Sequence, residues 1–264
     1  MGERLKDKIA IVCGAGCVGP GWGNGRATAV LFAEEGARVF ALDKNPAAME
    51  ETLARAPRGA ITAHQCDVLD AASVARMAAA CRETCGRIDI LVNNVGGSAR
   101  GGPVDLEESA WDSQMDYNLK SVFLTCKHVI PVMIAGGGGA IVNIASTSGL
   151  RWGGSAQIGY ASAKAGVIQF SRVAAIEYAP HQIRINTVIP GQLYTPMVEA
   201  RLAAQRTGGD VKALLKQRQA RIPLGFMGDG RDTAHAALFL ASDEARFITA
   251  TEIIVDGGMT ARCY

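Results

Sequence analysis

Short apolar runs recur along the chain, and amphipathic stretches separate them. The apolar runs predict strands at residues 9–13, 37–42, 60–66, 88–92, 140–145, 184–189 and 252–255. The amphipathic stretches predict helices at about 26–35, 46–55, 71–85, 107–134, 160–178 and 231–242. Strands and helices that alternate in units of about thirty residues indicate an α/β fold with a parallel sheet. No boundary interrupts the pattern, so residues 1–264 are predicted to form a single domain.

A long glycine-rich turn follows the first predicted strand and leads into a helix. Glycines at such a turn let the backbone approach a pyrophosphate, whose charge lies at the helix N-terminus. Gly14, Gly23, Asn24 and Gly25 are the candidate phosphate-binding residues. The alternative interpretation is that this segment is a flexible loop without a ligand. The residue at the end of the second strand helps to decide between the two interpretations.

The second predicted strand ends in Asp43. A carboxylate at this position can accept hydrogen bonds from both hydroxyls of an adenosine ribose, and it repels a 2′-phosphate. Asp43 therefore favours NAD over NADP. Lys44 is a reservation, because a cation beside Asp43 could partly compensate a phosphate.

Polar or glycine residues also follow the later strands. Since ligands of parallel sheets bind where the strands end, these positions are expected to line the same site. They are Asp67-Val68, Asn93-Asn94-Val95-Gly96, Ser146 and Pro190-Gly191. Asp67 has a second interpretation as a helix cap.

Tyr160 and Lys164 lie four residues apart in a predicted helix, which places them on one face about one turn apart. A tyrosine has an ordinary pKa near 10, so it is a poor base at neutral pH. A neighbouring ammonium stabilises the phenolate by Coulomb attraction and hydrogen bonding. The pair is therefore a candidate general acid/base.

Composition and charge restrict the class of protein. Hydrophobic residues make up 48% and charged residues 20% of the 264 positions, which is ordinary for a globular protein. A net charge of +2 does not suggest nucleic acid or a membrane surface as a partner. Seven scattered cysteines suggest reduced thiols rather than a disulfide framework, and no metal site is predicted. The polar N-terminus and the lack of a long apolar run predict a cytoplasmic protein without a membrane span.

Taken together, these segments resemble the short-chain dehydrogenase/reductase family from about Lys6 to the C-terminus. The matching pieces are the turn ending in Gly23-Asn24-Gly25, Asp67, Asn93-Asn94-Val95-Gly96, Asn118, Ser146, Tyr160-x-x-x-Lys164, Pro190-Gly191 with Thr195, and Val255-Asp256-Gly257-Gly258. The resemblance implies a Rossmann-like, doubly wound, seven-stranded parallel sheet flanked by helices. It also implies a homotetramer.

The resemblance implies hydride transfer between a nicotinamide and an alcohol or ketone. Tyr160 would exchange the proton of the reacting hydroxyl, and Ser146 would hydrogen-bond the same oxygen. Lys164 would lower the pKa of Tyr160 and bind the nicotinamide ribose. Asn118 would hold a water that relays the proton from Lys164 to solvent.

The same resemblance places a set of residues against the cofactor. Asp43 would bind the adenosine ribose, Asp67 and Val68 the adenine, and Thr195 the carboxamide. The remaining contacts are expected from Gly14, Gly23, Asn24, Gly25, Asn94, Gly96, Tyr160, Lys164, Pro190, Gly191 and Leu193.

Two departures from the family pattern stand out. The glycine turn is about five residues longer than usual and contains Pro20 and Trp22, and Trp22 is expected to cover either the cofactor or a neighbouring loop. Ser146 lies fourteen residues before Tyr160, one more than the family spacing, so Thr147 is the alternative to Ser146.

A segment at about 193–226 is expected to form a lid over the substrate. Its cations suggest either an acidic substrate or a solvated helix face; they are Arg201, Arg206, Lys212, Lys216, Arg218 and Arg221. Gln157, Trp152 and Tyr194 are candidate substrate contacts.

Three functions are consistent with these features. The first is an NAD-dependent oxidoreductase acting on a secondary alcohol or its ketone. The second is an NADPH-linked reductase of ketones or 3-oxoacyl thioesters. The third, a non-catalytic nucleotide-sensing protein, has no need of the Tyr160–Lys164 pair.

Overall fold

A computed structural model describes residues 2–202, 204 and 207–262. Seven parallel strands form one sheet in the order β3-β2-β1-β4-β5-β6-β7. The strands are β1 (Ile9–Cys13), β2 (Arg38–Asp43), β3 (Ile61–Gln65), β4 (Ile90–Asn93), β5 (Gly139–Ile144), β6 (Ile183–Pro190) and β7 (Glu252–Val255). The predicted doubly wound, single-sheet architecture is confirmed, and predicted and observed strand ends differ by at most two residues.

Helices cover both faces of the sheet. They are α1 (Asn24–Glu34), α2 (Glu50–Arg55), α3 (Ala71–Cys85), α4 (Glu108–Met115), α5 (Ser121–Ala135), α6 (Ile158–Tyr178), α7 (Val211–Gln219) and α8 (Gly230–Ala241). Side chains of α3, α5 and α6 pack on one face, and those of α1 and α8 pack on the other. Two hydrophobic cores therefore enclose the strands, which explains their nearly continuous apolar sequences.

The strand register brings the predicted site residues to one edge. Cys13, the last residue of β1, lies opposite Leu42 of β2 and Asn93 of β4. Asn93 in turn lies opposite Asn143 of β5. The residues that follow these strands therefore meet along one edge of the sheet.

A network of buried amides fixes α5 and α6 to the sheet behind this edge. Asn93 Nδ2 donates to Asn143 Oδ1 at 2.9 Å, and Asn143 Nδ2 donates to Ser171 Oγ of α6 at 2.8 Å. Thr125 Oγ1 of α5 donates to Asn93 Oδ1 at 2.7 Å. Because buried polar groups that lose a partner are costly, the network holds α6 in one position.

The helix predicted at 107–134 contains an irregularity. Residues Asp116–Lys120 form a π-helical turn between α4 and α5, and this turn contains the fully buried Asn118. π-turns inside helices are frequent at functional sites.

The cysteines among the described residues are free thiols, and Cys263 lies outside the described residues. No described helix combines the length and the apolarity needed to cross a membrane.

Candidate active site

A cleft of about 930 Å³ runs along the C-terminal edge of the sheet. Most of the predicted site residues line it: Gly14, Gly23, Asn24, Gly25, Asp43, Asp67, Val68, Asn94, Gly96, Ser146, Gln157, Tyr160, Lys164, Pro190, Gly191, Leu193 and Thr195. Asn118, Trp152 and Tyr194 are not among the lining residues. The structure thus brings together residues that are spread over most of the chain.

Lys164 is buried in the second turn of α6, and its side chain is 3% exposed. Its Nζ donates to the carbonyl oxygen of Ile144 at 2.8 Å and lies 5.9 Å from the centroid of the Tyr160 ring. Burial disfavours the charged form and lowers the pKa of Lys164 from 10.5 to about 8. Tyr160, in the first turn of α6, therefore lies near an ammonium that is still mostly protonated at neutral pH.

Ser146 follows β5 and caps a short 3₁₀ turn. Its Oγ accepts a hydrogen bond from Ser148 N at 3.2 Å, and Ser148 Oγ accepts one from Gln157 Nε2 at 2.6 Å. Ser146 and Thr147 both line the cleft, but Thr147 is only 5% exposed whereas Ser146 is half-buried. The 3₁₀ turn accommodates the longer spacing between Ser146 and Tyr160.

The Asn118 side chain holds the backbone of the loop after β4. Its Oδ1 accepts from Gly97 N at 3.0 Å, and its Nδ2 donates to Gly97 O at 3.0 Å and to Gln114 O at 2.9 Å. A Cβ at Gly96 would lie 2.8 Å from Asn118 Oδ1 and 3.0 Å from Lys164 Nζ. Because glycine has no Cβ, Gly96 leaves room for the side chains of Asn118 and Lys164. A water at Asn118 that relays the proton remains a prediction.

The glycine turn has the properties of a phosphate cradle. A Cβ at Gly25 would lie 1.8 Å from the carbonyl oxygen of Gly14, so only glycine allows this approach. No side chain caps the N-terminus of α1, and the Asn24 side-chain oxygen is buried without a hydrogen-bond partner among the described residues. Uncapped N–H groups at a helix N-terminus attract a pyrophosphate, so this turn fits the dinucleotide.

A buried arginine, which the sequence analysis missed, holds the extra residues of the turn. Arg26 is 2% exposed, and its Nη1 donates to Gly19 O at 3.1 Å, Gly21 O at 2.7 Å and Glu51 Oε2 at 2.6 Å. An arginine at this position of a helix is normally predicted to face solvent. The unusual length of the turn is the one feature of the sequence that indicates a buried side chain holding it in place.

Trp22 packs against neighbouring helices and does not line the cleft. The guanidinium carbons of Arg55 and Arg231 lie 4.6 Å and 5.8 Å from its ring centroid. A Cβ added at Gly19 or at Gly21 would lie 3.6 Å from the Pro196 side chain, so the extension also lies close to the segment that follows β6. The two arginine contacts are with residues of α2 and α8, and covering the cofactor or a neighbouring loop stays a prediction for Trp22.

Asp43 and Asp67 lie at the end of the cleft beside β2 and β3, where adenosine is predicted to bind. Asp43 accepts hydrogen bonds from Gly16 N at 3.1 Å and Asn45 N at 3.0 Å. Lys44 pairs with Asp67 at 2.7 Å and, by this hydrogen bond, lowers the pKa of Asp67. The cap of α3 is Asp70, so the alternative role of Asp67 as a helix cap is wrong.

The segment at about 193–226, which is predicted to form a lid, begins after β6 and contains α7. Arg218 is 7% exposed, lines the cleft, and donates from Nη2 to Leu193 O at 3.2 Å. Arg221 Nη1 donates to Gly153 O at 2.7 Å. With its amide oriented to satisfy both neighbours, Gln192 donates to Arg218 O at 3.1 Å and accepts from Arg221 Nη1 at 3.2 Å. Arg206 lies outside the described residues.

From the sequence alone, Arg218 is one of six cations between residues 193 and 226, and nothing separates it from the others. The available signal is its position four residues after Leu214, which is 2% exposed, so Arg218 extends the apolar stripe of α7. Of the other substrate candidates, Trp152 is 76% exposed, and the Tyr194 hydroxyl donates to Glu199 Oε1 at 2.5 Å.

Comparisons with known proteins identify the family of this chain. A family described as enoyl-(acyl carrier protein) reductase matches residues 20–260. A crystal structure from Burkholderia xenovorans, described as a short-chain dehydrogenase/reductase, is 61% identical, covers 99% of this chain and 100% of that chain, and gives a TM-score of 0.95. An uncharacterised oxidoreductase from Bacillus subtilis, YxbG, is 37% identical over 98% of this chain and 93% of its own. The 3-oxoacyl-[acyl-carrier-protein] reductase FabG from Thermotoga maritima is 36% identical over 97% of this chain and 99% of its own. The chain therefore belongs to the short-chain dehydrogenase/reductase family of oxidoreductases.

Proposed function

We propose that the protein is an NAD-dependent oxidoreductase that acts on a secondary alcohol or its ketone, with Tyr160 as the general acid/base. The observation that carries the proposal is the position of Lys164, whose buried Nζ lies 5.9 Å from the Tyr160 ring in a cleft that Ser146 also lines. A nucleotide sensor gains nothing from a buried ammonium beside a phenol.

In the oxidative direction, the Tyr160 phenolate takes the proton of the alcohol O–H as the C–H electron pair leaves the carbon. The bound nicotinamide supplies the acceptor for that hydride. Ser146 donates a hydrogen bond to the substrate oxygen and fixes its position, and such alignment contributes several kcal/mol in general. Lys164 stabilises the phenolate before proton transfer. In the reductive direction, Tyr160 returns the proton to the carbonyl oxygen.

The assignment of NAD depends on Asp43, which lies at the adenosine end of the cleft. Its carboxylate repels a 2′-phosphate and suits a free ribose. Lys44 is paired with Asp67 rather than with Asp43, so it does not neutralise the carboxylate. The NADPH-linked reductase is the second candidate, favoured by Lys44 in the cleft lining and by the similarity to a 3-oxoacyl-[acyl-carrier-protein] reductase.

The test combines the wild type with Tyr160→Phe, NAD⁺ or NADP⁺, and a panel of secondary alcohols, followed by the fluorescence of the reduced cofactor. We expect reduction of NAD⁺ by the wild type and a loss of at least about 1,000-fold in the variant, with NADH binding retained. Preference for NADP⁺ would support the reductase. Tight NADH binding without turnover of any alcohol or ketone would support the sensor.

We also propose a cytoplasmic homotetramer. Large apolar side chains are exposed on α5, on α6, before β7 and within β7: Phe123, Val173, Ile176, Phe247 and Ile254. Exposed apolar patches of this kind are typical of subunit interfaces. Light scattering at micromolar concentration tests the proposal, and a stable monomer would contradict it.

A further inference from the structure

Arg218 differs from the other lid cations whose side chains the structure describes. Lys212, Lys216 and Arg221 are exposed, whereas Arg218 is 7% exposed and lines the cleft. A guanidinium buried in a cleft has lost most of its hydration, and this loss is costly unless charged or polar groups compensate it.

Its contacts place Arg218 at the substrate end of the cleft. Its Nη2 donates to the carbonyl of Leu193, which follows β6. Arg221, three residues later, binds the carbonyl of Gly153 in the loop between Ser146 and Tyr160. The segment that carries Arg218 is therefore fixed both to the chain that follows β6 and to the loop that precedes Tyr160.

Charge is distributed unevenly along the cleft. Among its described lining residues, the carboxylates are Asp43 and Asp67, and both lie at the adenosine end beyond β1. The charged lining residues at the other end are the cations Lys164 and Arg218. This end of the cleft therefore favours an anionic substrate.

Polar groups close to Tyr160 in the sequence also favour a polar substrate. Gln157 and Ser148 line the cleft and are joined by a 2.6 Å hydrogen bond. An amide and a hydroxyl in the lining of a cleft that an arginine also lines suit a small, hydroxylated molecule better than a hydrocarbon.

We infer that Arg218 determines specificity by binding a carboxylate of the substrate, so that the protein acts on hydroxy acids or oxo acids. This inference rests on the proposed function and names its substrate class. An arginine fork binds a carboxylate through two parallel N–H···O bonds, which fixes the orientation of the acid as well as its charge. The reacting C–OH then lies at Tyr160 and Ser146.

The test uses a panel of 2-, 3- and 4-hydroxy acids, each matched with its primary amide, which has a similar shape but no charge. For the acids that react, we expect wild-type kcat/KM values about 100-fold above those of the amides. Arg218→Met should lose about 100-fold on the acids and change less than about threefold on the amides. Lys216→Met removes an equal but exposed charge two residues away and should leave both series unchanged.

Two further measurements keep the test valid if Arg218→Met misfolds or if none of the hydroxy acids reacts. Arg218→Lys keeps the charge but loses the fork, and it should retain about a tenth of the wild-type activity on acids. The same acids and amides are titrated into the enzyme–NADH complex, and thermal stabilisation is recorded without any need for turnover. Acids should stabilise the wild-type complex more than amides, and Arg218→Met should abolish that difference.

Several outcomes overturn the inference. Equal use of acids and amides by the wild type does so, as does an equal loss on both series in Arg218→Met, which would mean that Arg218 only positions the lid. Weaker NADH binding in Arg218→Met would assign the residue to the cofactor. The proposed function fails in a different way, by the lack of turnover of every alcohol and ketone despite NADH binding.

Discussion

Lys164 Nζ donates a 2.8 Å hydrogen bond to the carbonyl oxygen of Ile144, the last residue of β5. This bond fixes the ammonium against the sheet, on the side of the cleft that Tyr160 lines. A long, flexible side chain is thereby held in one position at a site where an error of about 1 Å costs about 100-fold in rate. The position of the ammonium depends on the end of β5 as well as on α6.

Lys164→Met should change the pH dependence of stability in the nucleotide-free protein. The pKa of Lys164 is about 8 in the folded protein and 10.5 when unperturbed. The penalty for burying its charge is therefore complete below pH 8 and disappears as the pH rises to 10.5. The unfolding free energy of the wild type, relative to that of the variant, should rise across this range by on the order of 3 kcal/mol. Urea unfolding at a series of pH values measures it.

Lys212→Met serves as the control for this measurement, because Lys212 is exposed on α7. The variant removes a lysine ammonium that solvent already surrounds, so it controls for the loss of a positive charge as such. A flat difference for Lys164→Met would show that Lys164 titrates like a solvated lysine.

Asp43→Ser should shift the cofactor preference toward NADP. The substitution removes the carboxylate that repels a 2′-phosphate and leaves Lys44 in place. The ratio of kcat/KM for NADP⁺ to that for NAD⁺ should rise about 100-fold. Asp67→Asn breaks the 2.7 Å pair with Lys44 but keeps Asp43, so it should shift this ratio much less. An equal shift in both variants would mean that Lys44, and not Asp43, sets the preference.

The sequence was sufficient to predict the sheet and the residues at the strand ends. Parallel strands buried on both faces have continuous apolar sequences, and a residue that follows such a strand must lie at the ligand-binding edge. Asp43, Asn94 and Ser146 were found in this way, and each lines the cleft.

Arg26 and Arg218 could not be found in this way, because an arginine in an amphipathic helix normally faces solvent. Their burial depends on tertiary packing: Arg26 fills the space inside the extended turn, and Arg218 packs against the backbone of Leu193. The π-turn around Asn118 escaped detection for a related reason. It lies inside one long helical pattern, and the hydrogen bonds from Asn118 to Gly97 join segments that are 21 residues apart.

Arg26→Met should weaken both the fold and the binding of the cofactor. The variant removes the arginine donor from the carbonyls of Gly19 and Gly21 and from Oε2 of Glu51, whose Oε1 still accepts from Arg55. Loss of these buried contacts should lower the unfolding free energy by about 2–4 kcal/mol. Since the extended turn includes the phosphate cradle, the Kd for NADH should rise about tenfold.

Fluorescence titration with NADH and urea unfolding measure these two effects, with Arg58→Met as the control because Arg58 is exposed. Glu51→Gln and the double variant complete a thermodynamic cycle that isolates the Arg26–Glu51 pair. Unchanged NADH binding in a less stable Arg26→Met protein would mean that the extension does not shape the cradle.

Gly96→Ala should disrupt catalysis through two neighbours at once. The added Cβ would lie 2.8 Å from Asn118 Oδ1 and 3.0 Å from Lys164 Nζ, so one or both side chains must move. Displacing Lys164 shifts the charge that supports Tyr160, and kcat should fall about 100-fold. Unfolding free energy should fall by about 1–3 kcal/mol because the contact is overpacked. Gly102→Ala, whose Cβ would make an ordinary 3.5 Å contact with Asp105 Oδ2, should leave both quantities nearly unchanged. If Gly96→Ala retained full kcat, the site would tolerate movement of Lys164, and rigid placement of the ammonium would not be a requirement for catalysis.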